Sequence, residues 1–235
     1  MKIVSLHQGN FSLTSQKKFK SVETTINSTK RPVLGVQPFL IKTPRDLILL
    51  DTGLADQPLP KDIKSLLQQH QLQTQQVTKV LISHLHKDHA GGIGEVEGQS
   101  FKENFPNAKI YIQEREYKFA MSQVQNPSYD IEQLQHFKTL PNIVWLQDDL
   151  GIIDPNITFE VTKGHTPYHQ VFWIKGQHQT IFFGADELPK KSYFNRSIAY
   201  KTDYDGIIGK QLRNQWKQQA NNENWIILYY HDSQN

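Results

Sequence analysis

Along this chain apolar residues gather in short runs, some alternating with polar positions and most continuous, bounded by polar or turn-forming residues, which predicts many strands. Residues 2–7 and 33–43 read as strands, separated by a polar stretch, 12–30, that suits a loop or irregular hairpin. Residues 46–50 read as a buried strand ending in Asp51-Thr52-Gly53. Similar runs occupy residues 79–82, 109–112, 157–162, 171–174, 180–183 and 225–230. A helical period governs fewer segments. In residues 62–70 it puts Ile63, Leu66, Leu67 and His70 on one face, with Asp62 in the N-cap position. On that face His70 is expected to pack rather than to bind. Residues 114–123 and 205–220 read as helices, and 126–135 opens with turn chemistry before a further one. Strands and helices alternate in places, but long stretches carry strands alone. The mixture predicts an α+β fold, two sheets with helices outside.

Histidines and carboxylates gather where the runs end. Ser83-His84-Leu85-His86-Lys87-Asp88-His89-Ala90-Gly91-Gly92 holds four potential metal ligands in the pattern H-x-H-x-D-H. His84 and His86 are two apart, so on extended backbone they project to one side and can share a cation. Asp88 and His89 follow as the chain turns and can face a second cation beside the first. Imidazole with carboxylate suits zinc or a similar first-row metal. Chance histidines on a surface loop are the bland alternative, which suits a single histidine far better than this cluster. Asp51 either forms the turn before Gly53 or orients a metal-bound imidazole through its other ring nitrogen. Gly164-His165-Thr166-Pro167-Tyr168-His169, Gly184-Ala185-Asp186 and His231-Asp232 also follow strand-like runs. Singly, His165, Asp186 and His231 suit structural roles. As a set in this order they are expected to converge on one rim. Residues 126–135 with 137–145 are the best candidate for a lid over it. Their Tyr129, Phe137 and Trp145 either line an apolar pocket or, as is more frequent, pack in the core.

Of 235 residues, 37% are hydrophobic and 21% charged, an ordinary make-up for a globular protein. The net charge of +3 makes no case for nucleic-acid or membrane binding. With no cysteine, disulfides and thiolate ligands are excluded. The first residues open on strand-like alternation, and no run nears the roughly 18 apolar residues of a transmembrane helix. A cytoplasmic protein is expected.

The motifs resemble those of the metallo-β-lactamase superfamily, in that family's order and through nearly the whole chain. The resemblance rests on Asp51-Thr52-Gly53, His84-x-His86-x-Asp88-His89, Gly164-His165-Thr166-Pro167, Gly184-Ala185-Asp186 and the late His231. It implies one domain over residues 1–235, an αββα sandwich with a dinuclear metal site at one edge. By position, His84, His86 and His165 would hold the first metal, and Asp88, His89 and His231 the second. Asp186 would bridge them, and Asp51 and His169 would stand behind the ligands. Two zinc ions are the implied cofactors, although other first-row metals fit. Oxygen-reducing members carry Glu where this chain has His86, which favours zinc over iron.

Within the superfamily the chain is most similar to the N-acyl homoserine lactonase-type hydrolases. It departs from them twice. Tyr168 stands where members usually carry Gly, and Pro189 where those lactonases place a tyrosine that holds the substrate carbonyl. Tyr193 is the nearest replacement for that tyrosine. The chemistry expected is attack on a small ester, lactone or thioester by hydroxide formed between the two metals. Asp88 would relay the proton to the leaving group, and Tyr193 or Tyr168 would donate to the oxyanion. A thioesterase similar to glyoxalase II and a phosphodiesterase or nuclease are the alternatives on this fold. A basic groove beside His231 would favour the nuclease.

Overall fold

A computed structural model describes residues 1–14, 16–22, 33–55 and 61–232. The chain runs through β1 (Lys2–Ser5), β2 (Gly9–Leu13), β3 (Phe19–Ser21), β4 (Val33–Val36), β5 (Phe39–Lys42) and β6 (Leu47–Leu50) to helix α1 (Ile63–Gln69). Then come β7 (Lys79–Leu81), α2 (Lys87–Ala90), β8 (Gly94–Glu97), β9 (Ser100–Glu103) and β10 (Lys109–Gln113). Helices α3 (Glu114–Ser122) and α4 (Ile131–Leu134) lead to β11 (Ile143–Leu146). A meander follows, of β12 (Leu150–Asp154), β13 (Ile157–Val161), β14 (Gln170–Lys175) and β15 (Thr180–Phe183). Helices α5 (Ser192–Asn195) and α6 (Gly206–Glu223) precede β16 (Ile226–Leu228).

Two mixed sheets form the αββα sandwich. One has the order β1-β5-β6-β7-β10-β11, antiparallel up to β6 and parallel beyond it. The other runs β12-β13-β14-β15-β16, antiparallel except for the last pair. The period-two pattern explains the layering, because successive side chains leave a strand on opposite faces. From β5, Phe39 and Ile41 enter the core between the sheets while Leu40 faces the other way. Ile48 and Leu50 of β6, and Ile181 and Phe183 of β15, enter the same central core. Leu40 and Leu49 instead meet Leu66 and Leu67 of α1 and Tyr117 and Ala120 of α3. Phe182 meets Trp216 of α6, ring centroids 4.9 Å apart. Among the described residues no helix is long and apolar enough to cross a membrane.

Three expectations change, and the hairpin offered as one alternative for 12–30 is present in its described part. Residues 33–43 form two strands, because Pro38 has no N–H for a ladder and breaks the run. β4 joins β2 and β3 in a small sheet, while β5 enters the large one. The stretch 12–30 carries the β2–β3 hairpin, with Leu13 opposite Phe19; residues 15 and 23–30 lie outside the described ones. His70 is exposed, since α1 ends at Gln69 and the chain turns out of the helix there. Residues 137–145 form no lid. Phe137 is fully buried in the helix-side core, Trp145 packs on Tyr117, and residues 143–146 are the edge strand β11.

Candidate metal centre

Parallel pairing of β6 with β7 and of β15 with β16 brings like strand ends together. Asp51 directly follows β6 and Ser83 closely follows β7. The backbone N–H of Asp51 donates to Leu81 O at 3.0 Å, and Ser83 N–H donates back to Asp51 Oδ1 at 2.7 Å. The Asp51-Thr52-Gly53 strand end then straps the ligand loop. Thr52 donates to His89 O through both its N–H (2.7 Å) and its hydroxyl (2.9 Å), and Gly92 N–H donates to Gly53 O. A Cβ on Gly92 would sit 2.3 Å from Thr52 O, so only glycine fits this approach. Gly92→Ala should therefore destabilise by roughly 1–3 kcal/mol, as overpacking does. Calorimetry would read this as a Tm lower by roughly 2–4 °C per kcal/mol.

Two groups of ligand atoms converge at this edge. His84, His86, His165 and Asp186 form one, and Asp88, His89 and His231 the other. His86 Nδ1 lies 2.9 Å from His84 Nε2 and 3.2 Å from His165 Nε2. Asp186 stands between the groups. Its Oδ2 is 3.2 Å from His165 Nε2, while its Oδ1 is 3.2 Å from His89 Nε2 and 3.0 Å from His231 Nε2. Asp88 Oδ2 is 3.6 Å from both His89 Nε2 and His231 Nε2.

The far side of four of the five rings is held. His89 Nδ1 meets Asp51 Oδ2 at 2.7 Å, and His231 Nδ1 donates to Gly35 O at 2.6 Å. His165 Nδ1 meets Asp203 Oδ1 at 3.1 Å, and His84 Nδ1 meets Ser83 Oγ at 3.1 Å. A fixed outer nitrogen turns the inner one toward the cluster, as metal-ligating histidines require. Burial, reinforced by the neighbouring histidines, holds His84 and His86 well below the usual imidazole pKa, leaving lone pairs free. Burial also opposes ionisation of Asp186, yet His231, His89 and His165 outweigh it and keep the carboxylate charged.

These residues fit a pair of divalent cations. His89 Nε2 and Asp186 Oδ1 are buried and make no hydrogen bond, a costly arrangement unless another group satisfies them. The donors are imidazole and carboxylate, the set that binds zinc.

Residues 31–231 match the model of the metallo-beta-lactamase superfamily. The chain belongs to that superfamily. It is 24% identical to N-acyl homoserine lactonase AiiA of Bacillus thuringiensis subsp. kurstaki, over 90% of this chain and 87% of that protein. Its structure is similar to that of a probable metal-dependent hydrolase from Staphylococcus aureus, with TM-score 0.80 and 19% identity, covering 98% and 89% of the two chains. It is also similar to a solved quorum-quenching N-acyl homoserine lactone hydrolase, with TM-score 0.73, 25% identity and coverage of 98% and 92%. As a superfamily member with such relatives, the chain is a metal-dependent hydrolase.

The structure brings together all seven ligand positions named from this superfamily member's sequence. His169 also lies close behind, its ring 5.0 Å from that of His84. A cavity of about 540 Å³ opens on the cluster, and Tyr129 and Tyr193 line it. Tyr193, on α5, stacks on Tyr200 with centroids 4.4 Å apart. The Arg213 guanidinium covers both rings at 5.5 and 5.4 Å and donates to Glu187 O and Ile198 O, tying this wall to α6. Tyr168 does not reach the cavity. It lies under the Arg115 guanidinium, 5.1 Å away.

Several supports escaped the sequence reading. Asp203 is one, and Glu187 is another: its Oε1 accepts from Gly164 N–H, His165 N–H and the Thr162 hydroxyl. Glu116 is a third, fully buried and pushed up to about 7 by that burial, although the Thr166 hydroxyl donates to it at 2.7 Å. Tyr230 is a fourth, stacking on His89 and donating to Asp88 O at 2.6 Å. The adjacency of Glu187 to Asp186 was a usable signal. Asp203 carried none, because only the fold brings it to His165. Asp203→Ala should weaken zinc affinity about 10–100-fold, the usual cost of losing such a support. Competition against a chromogenic chelator measures it.

Proposed function

We propose that this protein is a dizinc hydrolase that opens a small ester or lactone. The observation that carries the reading is Asp186, which turns one carboxylate oxygen to each of two histidine clusters. His84, His86 and His165 would hold one ion and Asp88, His89 and His231 the other, with Asp186 shared between the two groups. When bound, the ions supply Lewis acidity toward a carbonyl oxygen and acidify water to near-neutral pKa. Asp88, which lines the cavity beside His231, accepts the proton of the attacking water and returns it to the leaving oxygen. Tyr193 faces the same cavity and donates to the substrate carbonyl, in place of the tyrosine that Pro189 replaces. The lactonase relatives favour a lactone.

The test is acid release by the zinc-loaded protein across a series of acyl homoserine lactones and simple aryl esters. Ring opening or ester cleavage that a chelator abolishes and zinc restores is the expected result. Inactivity toward both, with zinc bound, would sink the reading. One observation favours a second reading, a small phosphodiester, since Lys17, Lys87 and Lys190 line the cavity that holds His231. Preferential cleavage of para-nitrophenyl phosphodiesters would establish that reading instead.

A further inference from the structure

The cavity over the candidate metal centre carries charge that the hydrolysis itself does not use. Three lysines line it, from three separate segments: Lys17 between β2 and β3, Lys87 at the start of α2, and Lys190 ahead of α5. The carboxylates that line it are engaged. Asp88 and Asp186 face the histidine clusters, and Asp203 holds His165. Among the described residues, Lys17 and Lys87 form no ion pair with a carboxylate. The Lys87 ammonium lies 5.9 Å over the Phe19 ring, and Lys190 donates to Val33 O at 2.6 Å. Burial lowers the Lys190 pKa from its usual value, while Asp232 works the other way.

Lys17 sits in left-handed backbone at φ 56°, in the turn closed by its own N–H to Thr14 O, and lines the cavity from there.

Unpaired ammonium groups in a cleft with low-dielectric walls focus a positive potential and select anions. We propose that the substrate carries an anionic group separate from the scissile ester, received by Lys17, Lys87 and Lys190 while the ester carbonyl lies at the histidine cluster. This rests on the hydrolase reading above and narrows it to anionic esters or lactones.

Two para-nitrophenyl esters of equal acyl length decide it, the neutral pentanoate and the glutarate monoester, which ends in a carboxylate. The two kcat/KM values are compared directly, using the zinc-loaded protein, after each ester's uncatalysed rate is subtracted. The expected result is a preference of at least about tenfold for the glutarate ester. That preference should shrink as salt screens the lysines. It should also fall toward unity in Lys17→Gln/Lys87→Gln. Equal turnover of both esters with no salt response would overturn the proposal and leave the hydrolase reading standing. Faster turnover of a para-nitrophenyl phosphodiester would overturn it too, by moving the anion onto the scissile bond. If neither ester is cleaved, the hydrolase reading is left to the lactone series above. Calorimetric titration with glutarate and with inorganic phosphate then decides the charge question alone. Tighter, salt-sensitive binding to the wild type than to the double variant supports the proposal and says which anion fits. Equal binding refutes it.

Discussion

Asp186→Asn should cost the protein at least one of the two zinc ions proposed for it and about three orders of magnitude in kcat/KM. The substitution keeps the shape of the side chain but makes its two ends different. One end remains a weak oxygen ligand. The other becomes an NH₂ group aimed either at His165 or at His89 and His231, which now lie about as close as ligands of one ion would. A donor cannot ligate, so one cluster loses its shared carboxylate and the two cations lose the anion between them. Metal-ion catalysis is worth several kcal/mol of charge stabilisation, and each 1.36 kcal/mol is a factor of ten in rate. Elemental mass spectrometry of the dialysed variant, with circular dichroism as a check on folding, reads the metal loss directly. Two tightly held zinc ions in the variant would remove Asp186 from its bridging role.

Asp88→Asn should separate chemistry from metal binding. Asp88 sits at 3.6 Å from His89 Nε2 and His231 Nε2, farther than Asp186 lies from either, and it lines the substrate cavity. It is therefore placed both to complete the second cluster and to exchange a proton with a group in the cavity. Asparagine fills the same volume yet cannot carry that proton. General acid–base catalysis contributes about 10²–10⁴-fold. Expressed in kcat under saturating zinc, a loss of that size is expected, while the first cluster keeps its ion. A kcat within tenfold of wild type, at full zinc occupancy, would take proton transfer away from Asp88.

Much of this was legible before any coordinates. The H-x-H-x-D-H run is local, so its spacing alone says that His84 and His86 share a direction. The continuous apolar runs of β5, β6 and β15 predict strands buried on both faces, though not which face meets the central core. Where the sequence reading failed, local pattern competed with a tertiary or backbone constraint. Pro38 split an apparently continuous strand. His70 continued an apolar face past the point where the helix ended. Phe137 and Trp145 were claimed by the helix-side core, and Tyr168 by Arg115, because burial of rings decided their placement.

By itself, then, the sequence determined the candidate ligand set, its order along the chain and the strand ends from which each candidate departs. Only the tertiary structure decided that Asp186 turns one oxygen to each cluster, and that Asp203, Glu187 and Gly35 hold ligands far away in sequence. It also decided that three distant lysines share one cavity with the metal centre. The division has a physical cause. Ligand identity and alternation follow from neighbours along the backbone. Second contacts of a histidine ring, and the charge of a cleft, are set by residues that meet only when the two sheets pack.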